Sequence, residues 1–306
     1  MITNRYLMLV AAVVSMVAAA CGSASHSSSP TTGDPAATGA PTTTVARGSG
    51  PVDVLYAGSL VNTMEKQIGP AFNTATGYTF TGFSAGSDAL ATQIKGKVRQ
   101  ADVFISASPT VNAKLMGTAN GNWVSWYATF ATSPLVLGYN PHSRFANELQ
   151  TKPWYQVITQ PGFLLGRTDP ATDPKGKLAV TALQDAAKNY HNPALAALAT
   201  KSANVFAEET LVGRLQAGQL DAGFFYTSET TAAHIPTVPL TGLDLKATYT
   251  ITVLNNAPHQ SGAEAFVNRL LGPSGQTVLN QDGFQLVQPY KVTGTGVPPD
   301  LSKVLP

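Results

Sequence analysis

The chain has a single cysteine among its 306 residues, so no disulfide can form within it. It is also poor in charge, since Asp, Glu, Lys and Arg make up 12% of the residues and the net charge is only +2. That balance gives no basic stripe of the kind that binds nucleic acid. The phosphate-binding pattern G-x-x-x-x-G-K-[ST] is absent as well. We therefore expect neither a nucleic-acid partner nor a bound cofactor.

The N-terminus opens with a long apolar run. Arg5 is the only charge before a run from Tyr6 to Ala20, which ends in three alanines followed by Cys21 and a glycine. A positive start, an apolar centre and small residues at the end are typical of a secretory signal. The run is shorter than the ~20 residues that span a bilayer comfortably. Residues 1–20 are predicted to be a signal peptide, with an uncleaved anchor helix as the alternative.

Small residues directly before a cysteine resemble the lipobox of bacterial lipoproteins. The resemblance implies cleavage before Cys21 and lipid attachment to that residue. The protein would then sit on the extracytoplasmic face of the cell membrane, held by its lipid anchor only. Residues 21–50 are mostly Ser, Thr, Pro, Gly and Ala, which predicts a flexible tether. The folded part is predicted to begin at about residue 51.

Beyond the tether, short apolar runs alternate with helical patterns. Met64, Ile68 and Phe72, for example, recur at the spacing of one helix face. This alternation predicts an α/β fold with mainly parallel sheets. The predicted strands are 52–56, 78–83, 102–106, 134–139, 163–166, 222–226 and 249–254, and the predicted helices are 60–74, 88–98, 111–116, 179–189, 208–217 and 263–271.

Serines follow the first two predicted strands, each in a turn that opens a helix. In open α/β sheets, ligands bind beyond the carboxyl ends of the strands. A helix start has unpaired N–H groups and partial positive charge, so the hydroxyls of Ser59 and Ser87 would suit an anion there. Either serine alone is better explained as a helix N-cap. Together they predict a clamp of neutral donors around one oxyanion.

Six segments carry a resemblance to a known family. In these segments the chain resembles the molybdate/tungstate-binding proteins of ABC importers, particularly their tungstate-type branch. The segments occur in the same order as in that family, and the resemblance covers nearly all of the folded part. The resemblance implies a two-lobed, type II periplasmic-binding-protein fold with the ligand between the lobes. Residues 51–131 plus 237–306 would form lobe one, and residues 132–236 lobe two. The matching segments are Tyr56-Ala-Gly-Ser-Leu60, Ser84-Ala-Gly-Ser87, Ala101-Asp-Val-Phe-Ile-Ser-Ala107, Phe130-Ala-Thr-Ser-Pro-Leu-Val-Leu-Gly-Tyr139, Asp169-Pro-Ala-Thr-Asp-Pro-Lys-Gly176, and Leu215-Gln-Ala-Gly218 with Gly223-Phe-Phe-Tyr226.

The resemblance also implies which residues meet the ligand. Tyr226 would donate its phenolic O–H, and Lys175 aligns with a backbone N–H donor of the molybdate branch. Two carboxylates fall where the tungstate-type branch places its own pair. The implied ligand-binding residues are Ser59, Ser87, Asp173, Lys175, Glu208 and Tyr226.

The two carboxylates pose a physical problem, because a carboxylate repels a dianion. The arrangement makes sense if Asp173 and Glu208 bind the Mo or W centre itself, which can expand from four to six oxygen ligands. Sulfur and phosphorus cannot readily do so, and the same charges would then reject sulfate and phosphate. We expect no other metal at the site.

Ordinary structural roles are open for the same residues. Asp173 precedes a proline in a turn dipeptide, and acids such as Glu208 are favoured at helix starts in any case. If the match to the family's pattern is shifted by one residue, Glu209 takes the place of Glu208. The chain also departs from the branch at Lys177 and Leu178, where Tyr-Arg is typical.

A serine hydrolase is a competing hypothesis. Ser84 stands in a G-x-S-x-G pattern between a strand and a helix, the context of a nucleophile elbow, and His259 or His234 would have to be its base. The pattern follows only the second strand, and no HGGG-like oxyanion segment precedes it. We therefore predict a binding protein and not an enzyme.

A metal-cation carrier is a third class, but its expected histidine cluster is missing. No two histidines stand four residues apart in the sequence. A carrier for sulfate or another small anion stays open, since the sequence does not rank molybdate, tungstate and sulfate. As partners we expect an ABC permease with its ATPase, and a monomeric protein. The histidines are His26, His142, His191, His234 and His259.

Overall fold

The computed structural model describes residues 47–203 and 205–306. The predicted signal peptide, Cys21 and most of the tether lie outside these residues. Within the described ranges, no helix combines the length and the hydropathy that a membrane crossing requires.

The strands of the described chain pair into one continuous path. Its order is β2-β1-β3-β9-β4-β7-β5-β6, while β8 and β10 both pair with β4. The strands are β1 Pro51–Ala57, β2 Thr79–Ala85, β3 Val103–Ser106, β4 Trp126–Tyr139, β5 Leu165–Thr168, β6 Val205–Phe206, β7 Ala222–Tyr226, β8 Thr237–Pro239, β9 Lys246–Val253 and β10 Gln285–Gly294.

The helices between these strands confirm the predicted α/β class. They are α1 Val61–Thr63, α2 Gly69–Thr76, α3 Ser87–Lys95, α4 Pro109–Ala113, α5 Ala146–Thr151, α6 Trp154–Val157, α7 Pro174–Asn189, α8 Pro193–Thr200, α9 Leu211–Gln216, α10 Thr227–Ala232, α11 Gln260–Leu271 and α12 Pro273–Gln281. Single-turn segments at Gly58–Leu60, Thr118–Asn120, Glu208–Thr210 and Pro299–Leu301 are 3-10 helical, and Met64–Ile68 is π-helical.

The prediction of mainly parallel sheets is wrong at the centre of the path. Strand β1 pairs in parallel with β2 and β3, and β5 pairs in parallel with β6 and β7. Between these two groups, β4 and β9 run antiparallel to every strand they pair with. Two parallel groups are thus joined through antiparallel strands.

The long strand β4 takes part in both groups. Its first part pairs with β9 as far as Pro134, and its remainder pairs with β7 from Leu135 onward. The sequence predicted only residues 134–139 as a strand, because Thr132 and Ser133 interrupt the apolar pattern just before Pro134. The proline is tolerated there because the strand changes partners at that point, where Leu135 donates its N–H to the carbonyl of Leu245.

The predicted helix face over 60–74 is buried as expected. Met64, Ile68 and Phe72 all lie in the core, and Phe72 packs edge-on against Phe266 of α11 at 5.2 Å between ring centroids. The helix is not uniform, however, since its middle turn is π-helical. The packing fixes the start of the helix, and with it the turn that precedes it at the end of β1.

Candidate functional site

Two Gly-Ser pairs stand at the carboxyl ends of neighbouring parallel strands. Gly58 follows β1, and a Cβ at that position would lie only 1.7 Å from Oε2 of Glu208. Gly86 follows β2, and a Cβ there would lie 2.4 Å from the carbonyl oxygen of Thr172 and 3.0 Å from Cβ of Asp173. Both glycines are therefore required for the close approach of these turns to a second group of loops.

The serines that follow these glycines are buried. Ser59 accepts a hydrogen bond from the phenolic O–H of Tyr249 at 2.9 Å, and Ser87 accepts one from the N–H of Ala107 at 3.1 Å. Neither hydroxyl caps the helical segment in which it stands, since Gly86 occupies the N-cap position before Ser87. The ordinary N-cap role is therefore not the one these serines have, and each keeps its hydroxyl proton to donate.

Asp173 is the N-cap of α7 and works through one oxygen. Its Oδ1 accepts from the N–H groups of Lys175 at 2.6 Å and Gly176 at 3.2 Å, and from the hydroxyl of Thr168 at 3.1 Å. Among the described residues, its Oδ2 has no hydrogen-bond partner. Burial raises the pKa of Asp173 to about 6, against the opposing effects of the Lys175 charge and the Gly176 N–H. The backbone N–H of Lys175, predicted as a ligand donor, is used by this cap in the present structure.

The side chain of Lys175 is the part of the site that sequence reasoning missed. It is 1% exposed, and its Nζ lies 2.9 Å from Oε1 of Glu208 and 2.6 Å from Oε1 of Glu229. The ammonium also lies over the rings of Phe225 and Tyr226, at 5.4 and 5.6 Å. Burial disfavours the charged form of Lys175, but the two carboxylates outweigh it and raise its pKa above the ordinary value.

Glu229 was likewise missed, although a signal for it exists. It is the third residue of α10, where a glutamate commonly reaches back to the start of its own helix. Its Oε2 accepts the N–H of Tyr226 at 2.8 Å, while its Oε1 accepts from Lys175. Both oxygens of Glu229 are therefore engaged within the protein.

Glu208 is engaged through only one of its oxygens. Its Oε1 accepts from Lys175, whereas its Oε2 is buried without a partner and faces Gly58. Burial raises the pKa of Glu208 well above its ordinary value, and the Lys175 charge opposes that rise. Glu208 is buried while Glu209 is exposed, so Glu208 is the glutamate that points inward. A buried carboxylate oxygen with no donor costs free energy unless something binds it.

After Oε2 of Glu208, the phenolic oxygen of Tyr226 is the second buried polar atom of the site that has no partner among the described residues. Its side chain is fully buried at the end of β7, and its phenolic oxygen makes no hydrogen bond within the described chain. Its ring meets the ring of Tyr249 edge-on at 6.1 Å, and Tyr249 is the donor to Ser59. Burial is the main cause that raises the pKa of Tyr226 well above its ordinary value, and the negative charge of Asp173 raises it further. The phenol is therefore a neutral donor.

A cavity of about 220 Å³ opens onto this cluster. Its lining includes Gly58, Ser59, Glu208 and Glu229, and its volume is roughly seven times the ~30 Å³ that one water occupies. Lys175 and Tyr226 lie outside the lining and join the cluster through the contacts given above. Asp173 is tied to it through the backbone N–H of Lys175, and the contact that the described chain gives the hydroxyl of Ser87 is with Ala107. A larger cavity of about 360 Å³ lies elsewhere, beside stacked tyrosines, and contains none of these polar groups. The chemistry therefore favours the smaller cavity.

The arrangement suits a ligand with two kinds of contact. Hydroxyls of two serines and one tyrosine can donate to the oxygens of an anion, while spare oxygens of Asp173 and Glu208 can bind an electron-deficient centre. The single ammonium of Lys175 offsets part of the carboxylate charge. A small ligand that offers both oxygens and an expandable centre would pair the phenol of Tyr226 and Oε2 of Glu208.

The His259 pair does not form a hydrolase arrangement around Ser84. His259 lies 3.0 Å from Oδ2 of Asp102, and the same oxygen accepts the N–H of Asp53. Asp53 stands three residues along β1 from Tyr56, the cross-strand partner of Ser84, which separates the histidine pair from Ser84 by roughly 10 Å along the strand. No base therefore reaches Ser84 from that pair.

Asp53, Asp102 and His259 also form the one grouping of described residues with the spacing of metal ligands. Both oxygens of Asp102 already accept hydrogen bonds, from the N–H of Asp53 and from the N–H and ring of His259. The protein's own donors therefore account for this cluster.

Comparison with known proteins identifies the family of the chain. The family described as bacterial extracellular solute-binding protein matches residues 52–285. The molybdate/tungstate-binding protein of Thermococcus kodakarensis is 24% identical over 243 residues, which cover 62% of this chain and 68% of that protein.

Solved structures share the fold at low sequence identity. The periplasmic molybdate-binding protein of Azotobacter vinelandii gives a TM-score of 0.58 at 20% identity and covers 78% of this chain and 100% of its own. The sulfate-binding protein SubI of Mycobacterium tuberculosis gives 0.60 at 18% identity, with coverage of 78% and 88%. These likenesses confirm the two-lobed α/β periplasmic-binding fold.

The family match extends over most of the described chain, from β1 to the start of β10. Its members bind solutes outside the cell and are not enzymes, so the hydrolase hypothesis for Ser84 is set aside. The chain belongs to the family of bacterial extracellular solute-binding proteins, which serve ABC transport.

Proposed function

We propose that this solute-binding protein captures a tetrahedral oxyanion of the molybdate or tungstate type for an ABC importer. The observation that carries the proposal is a pair of buried polar atoms without a partner among the described residues, Oε2 of Glu208 and the phenolic oxygen of Tyr226, on two side chains that both lie against the Lys175 ammonium. An acceptor and a donor left unpaired in one cluster call for a ligand that presents both an acidic centre and oxygen acceptors.

Charge argues against the commoner oxyanions. Asp173, Glu208 and Glu229 bring three carboxyl groups to the site, and Lys175 supplies one ammonium against them. A dianion that offers only oxygens would be repelled by this balance. Mo(VI) and W(VI) can instead take carboxylate oxygens as additional ligands, which turns the repulsive groups into binding groups. The tungstate-type arrangement of Asp173 and Glu208 is thus the finer part of the proposal.

Relatives support the ligand class, and the fold alone does not select it. A molybdate/tungstate-binding protein is among the sequence relatives, while molybdate-binding and sulfate-binding proteins both share the fold. A carrier for sulfate is therefore the second candidate. In that case the serines and Tyr226 would bind the anion, and the carboxylates would have to be protonated.

Contacts across the site join the two proposed lobes, 51–131 plus 237–306 and 132–236. Ala89 donates its N–H to the carbonyl of Thr172 at 3.1 Å, and Lys177 forms an ion pair with Asp88. Each contact joins one proposed lobe to the other. With the Gly58–Glu208 approach, they describe a cleft closed over its site.

Membrane attachment is the remaining part of the proposal. Lipidation at Cys21, with residues 21–50 as tether, would keep the protein at the extracytoplasmic face beside its permease. Confinement of this kind raises the effective concentration of the loaded form at the permease. Mass spectrometry of the membrane fraction tests it, since an unmodified thiol at Cys21 would contradict the anchor.

Calorimetric titration of the purified chain tests the ligand. We expect tight binding of molybdate and tungstate and no heat from sulfate, phosphate or thiosulfate. Tight sulfate binding would favour the second candidate, and silence for all five anions would contradict both. Glu208→Ala and Asp173→Ala then test the carboxylates, with Asp185→Ala, a half-exposed acid of α7 outside the cavity lining, as the control that leaves affinity unchanged.

A further inference from the structure

We propose that Tyr249 is a positioning residue of the oxyanion site: its phenol occupies one side of the Ser59 hydroxyl and thereby turns the Ser59 proton towards the anion. The inference rests on the proposed function and deepens it, because it says how one of the neutral donors is aimed. Tyr249 lies outside the lining of the cavity of about 220 Å³, so it acts on the ligand only through Ser59.

The hydrogen bond between these two side chains is buried. The phenolic O–H of Tyr249 donates to Oγ of Ser59 at 2.9 Å, and Ser59 lines the cavity. A hydroxyl has one proton and two acceptor positions, and its proton rotates freely when nothing fixes it. Tyr249 takes one acceptor position, and no described residue accepts the Ser59 proton. That proton is therefore left for a group in the cavity.

The ring of Tyr249 is enclosed on several sides. It is fully buried on β9. Three aromatic rings pack against it, those of Phe284 at 5.2 Å, Tyr226 at 6.1 Å and Phe130 at 6.2 Å between centroids. A side chain packed in this way keeps one rotamer. The orientation of the Ser59 hydroxyl is thus set before a ligand arrives, which spares the cost of ordering it on binding.

Tyr249 also contacts a predicted donor of the other proposed lobe. Its ring meets the ring of Tyr226 edge-on, while its phenol reaches Ser59. On the sheet, Tyr249 pairs with Ala131 of β4, at the proposed boundary between the lobes. One enclosed side chain at this boundary therefore holds a donor from each lobe in a fixed relation to the other.

Packing of the ring does not require its oxygen. A buried phenol needs a hydrogen-bond partner, whereas an apolar ring of the same shape does not. Among the described residues, the hydrogen bond that this phenol donates goes to Ser59. A purely structural role predicts that loss of the oxygen changes stability without any coupling to Ser59 in ligand affinity. A positioning role predicts that coupling.

The experiment is a double-mutant cycle on molybdate and tungstate affinity, measured by calorimetry at pH 7 on the full chain. Tyr249→Phe frees the Ser59 hydroxyl to rotate, so affinity falls by about 3- to 12-fold, as for one hydrogen bond. Ser59→Ala removes the donor itself and lowers affinity at least as much. The double variant binds within about twofold of Ser59→Ala, because Tyr249 then has no donor to aim. Ser59→Cys, a weak donor of similar shape, closes the same cycle if Ser59→Ala does not fold.

Two controls test whether the coupling is specific. Ser87→Ala removes the other serine, whose oxygen accepts from Ala107 and not from Tyr249, so its effect and that of Tyr249→Phe multiply. Tyr290→Phe deletes the oxygen of another buried tyrosine, which donates to the carbonyl of Leu271 at 2.7 Å. We expect that change to lower the melting temperature and to leave affinity unchanged.

The outcomes separate this inference from the proposed function. Silence towards molybdate and tungstate combined with sulfate binding would refute the proposed ligand, and the same cycle with sulfate then tests Tyr249. Silence towards all three anions would refute both. Wild-type binding of molybdate or tungstate that Tyr249→Phe does not weaken, or weakens equally with and without the Ser59 hydroxyl, would overturn the positioning role alone.

Discussion

Helix α7 contributes a lysine to each of two ion clusters, Lys175 to a buried one and Lys177 to an exposed one, and the two clusters have different roles. Lys175 is buried with Glu208 and Glu229, all three almost fully out of solvent. Lys177 pairs with Asp88 across the cleft, and its side chain is 45% exposed. A second lysine, Lys114, reaches the same aspartate at 2.6 Å from the other side. The same residue type therefore occurs once as an internal charge and once as a surface contact.

The difference shows how burial divides the roles of charged residues. The buried cluster lies within one proposed lobe and stays together whether the cleft is open or closed. Its charges are poorly screened, so each one decides the protonation of its neighbours. The exposed Lys177–Asp88 pair joins the two proposed lobes and exists only when they meet, but water and salt screen it. We expect the first to govern which anion binds and the second to affect only how long the cleft stays closed.

The strongest test of this division of roles is Glu208→Gln, because it removes one carboxylate from the buried cluster at nearly constant volume. We expect molybdate affinity to fall by roughly 30- to 5,000-fold, as for other buried charge pairs that lose one partner. Sulfate affinity rises at the same time, since a repulsive group is gone. Calorimetry with both anions measures this. Asp88→Asn, the corresponding change in the exposed cluster, leaves the preference unchanged; a shift in preference there would contradict the division.

A methyl group at Gly58 tests the approach of the first turn to the buried cluster. In Gly58→Ala the new Cβ would meet Oε2 of Glu208 at 1.7 Å, so closure requires the carboxylate or the turn to move. Overpacking of this kind costs about 1–3 kcal/mol, which predicts a loss of affinity of up to roughly 150-fold. Gly213→Ala is the matched control, since Gly213 lines the same cavity and a Cβ there meets nothing within 4 Å. Equal affinities in the two variants would refute the steric argument.

The turns after β1 and β2 could be predicted from the sequence, but the buried cluster of Lys175, Glu208 and Glu229 could not. Gly58, Ser59 and Ser87 follow strands whose apolar runs are short and clear, so strand ends and turns were predictable from local pattern. The partners of Lys175 come from positions 33 and 54 residues further along the chain. No local pattern records such a meeting, because it depends on how α7, α10 and the Glu208 turn pack together.

The strand errors have a similar cause. Strand β4 was predicted at half its length because its first part is held by β9 and β10, whose contribution is not visible in the β4 sequence itself. Strand β10 was missed for the same reason, since its polar residues, such as Gln285 and Lys291, gain regular structure only by pairing with β4. Long-range pairing overrides local propensity in both cases.

Tyr226→Phe separates binding from stability within the buried region. The phenolic oxygen is buried without a partner, so its removal from the empty protein stabilises the fold by about 1 kcal/mol. The same change deletes one donor to the anion, which lowers molybdate affinity by about tenfold. Melting temperature without ligand and affinity by calorimetry therefore move in opposite directions. Phe224→Leu, a change at an equally buried aromatic residue of β7, lowers stability; loss of both properties in Tyr226→Phe would contradict a ligand-facing phenol.

The smallest effect belongs to the exposed cluster. Lys177→Met removes its contact with Asp88 across the cleft, and exposed ion pairs contribute about 0–1 kcal/mol, which limits the loss of affinity to about fivefold. Lys114 and Lys177 together outweigh burial and hold the pKa of Asp88 below its ordinary value, so the contact is present at neutral pH and is lost only as pH falls through that lowered value. The loss in Lys177→Met is faster ligand release, and it shrinks as salt rises from 50 to 500 mM, because the wild type loses the same contact to screening. A loss that is independent of salt would mean that Lys177 affects the binding site other than through its exposed contact with Asp88, and the distinction between the two clusters would fail.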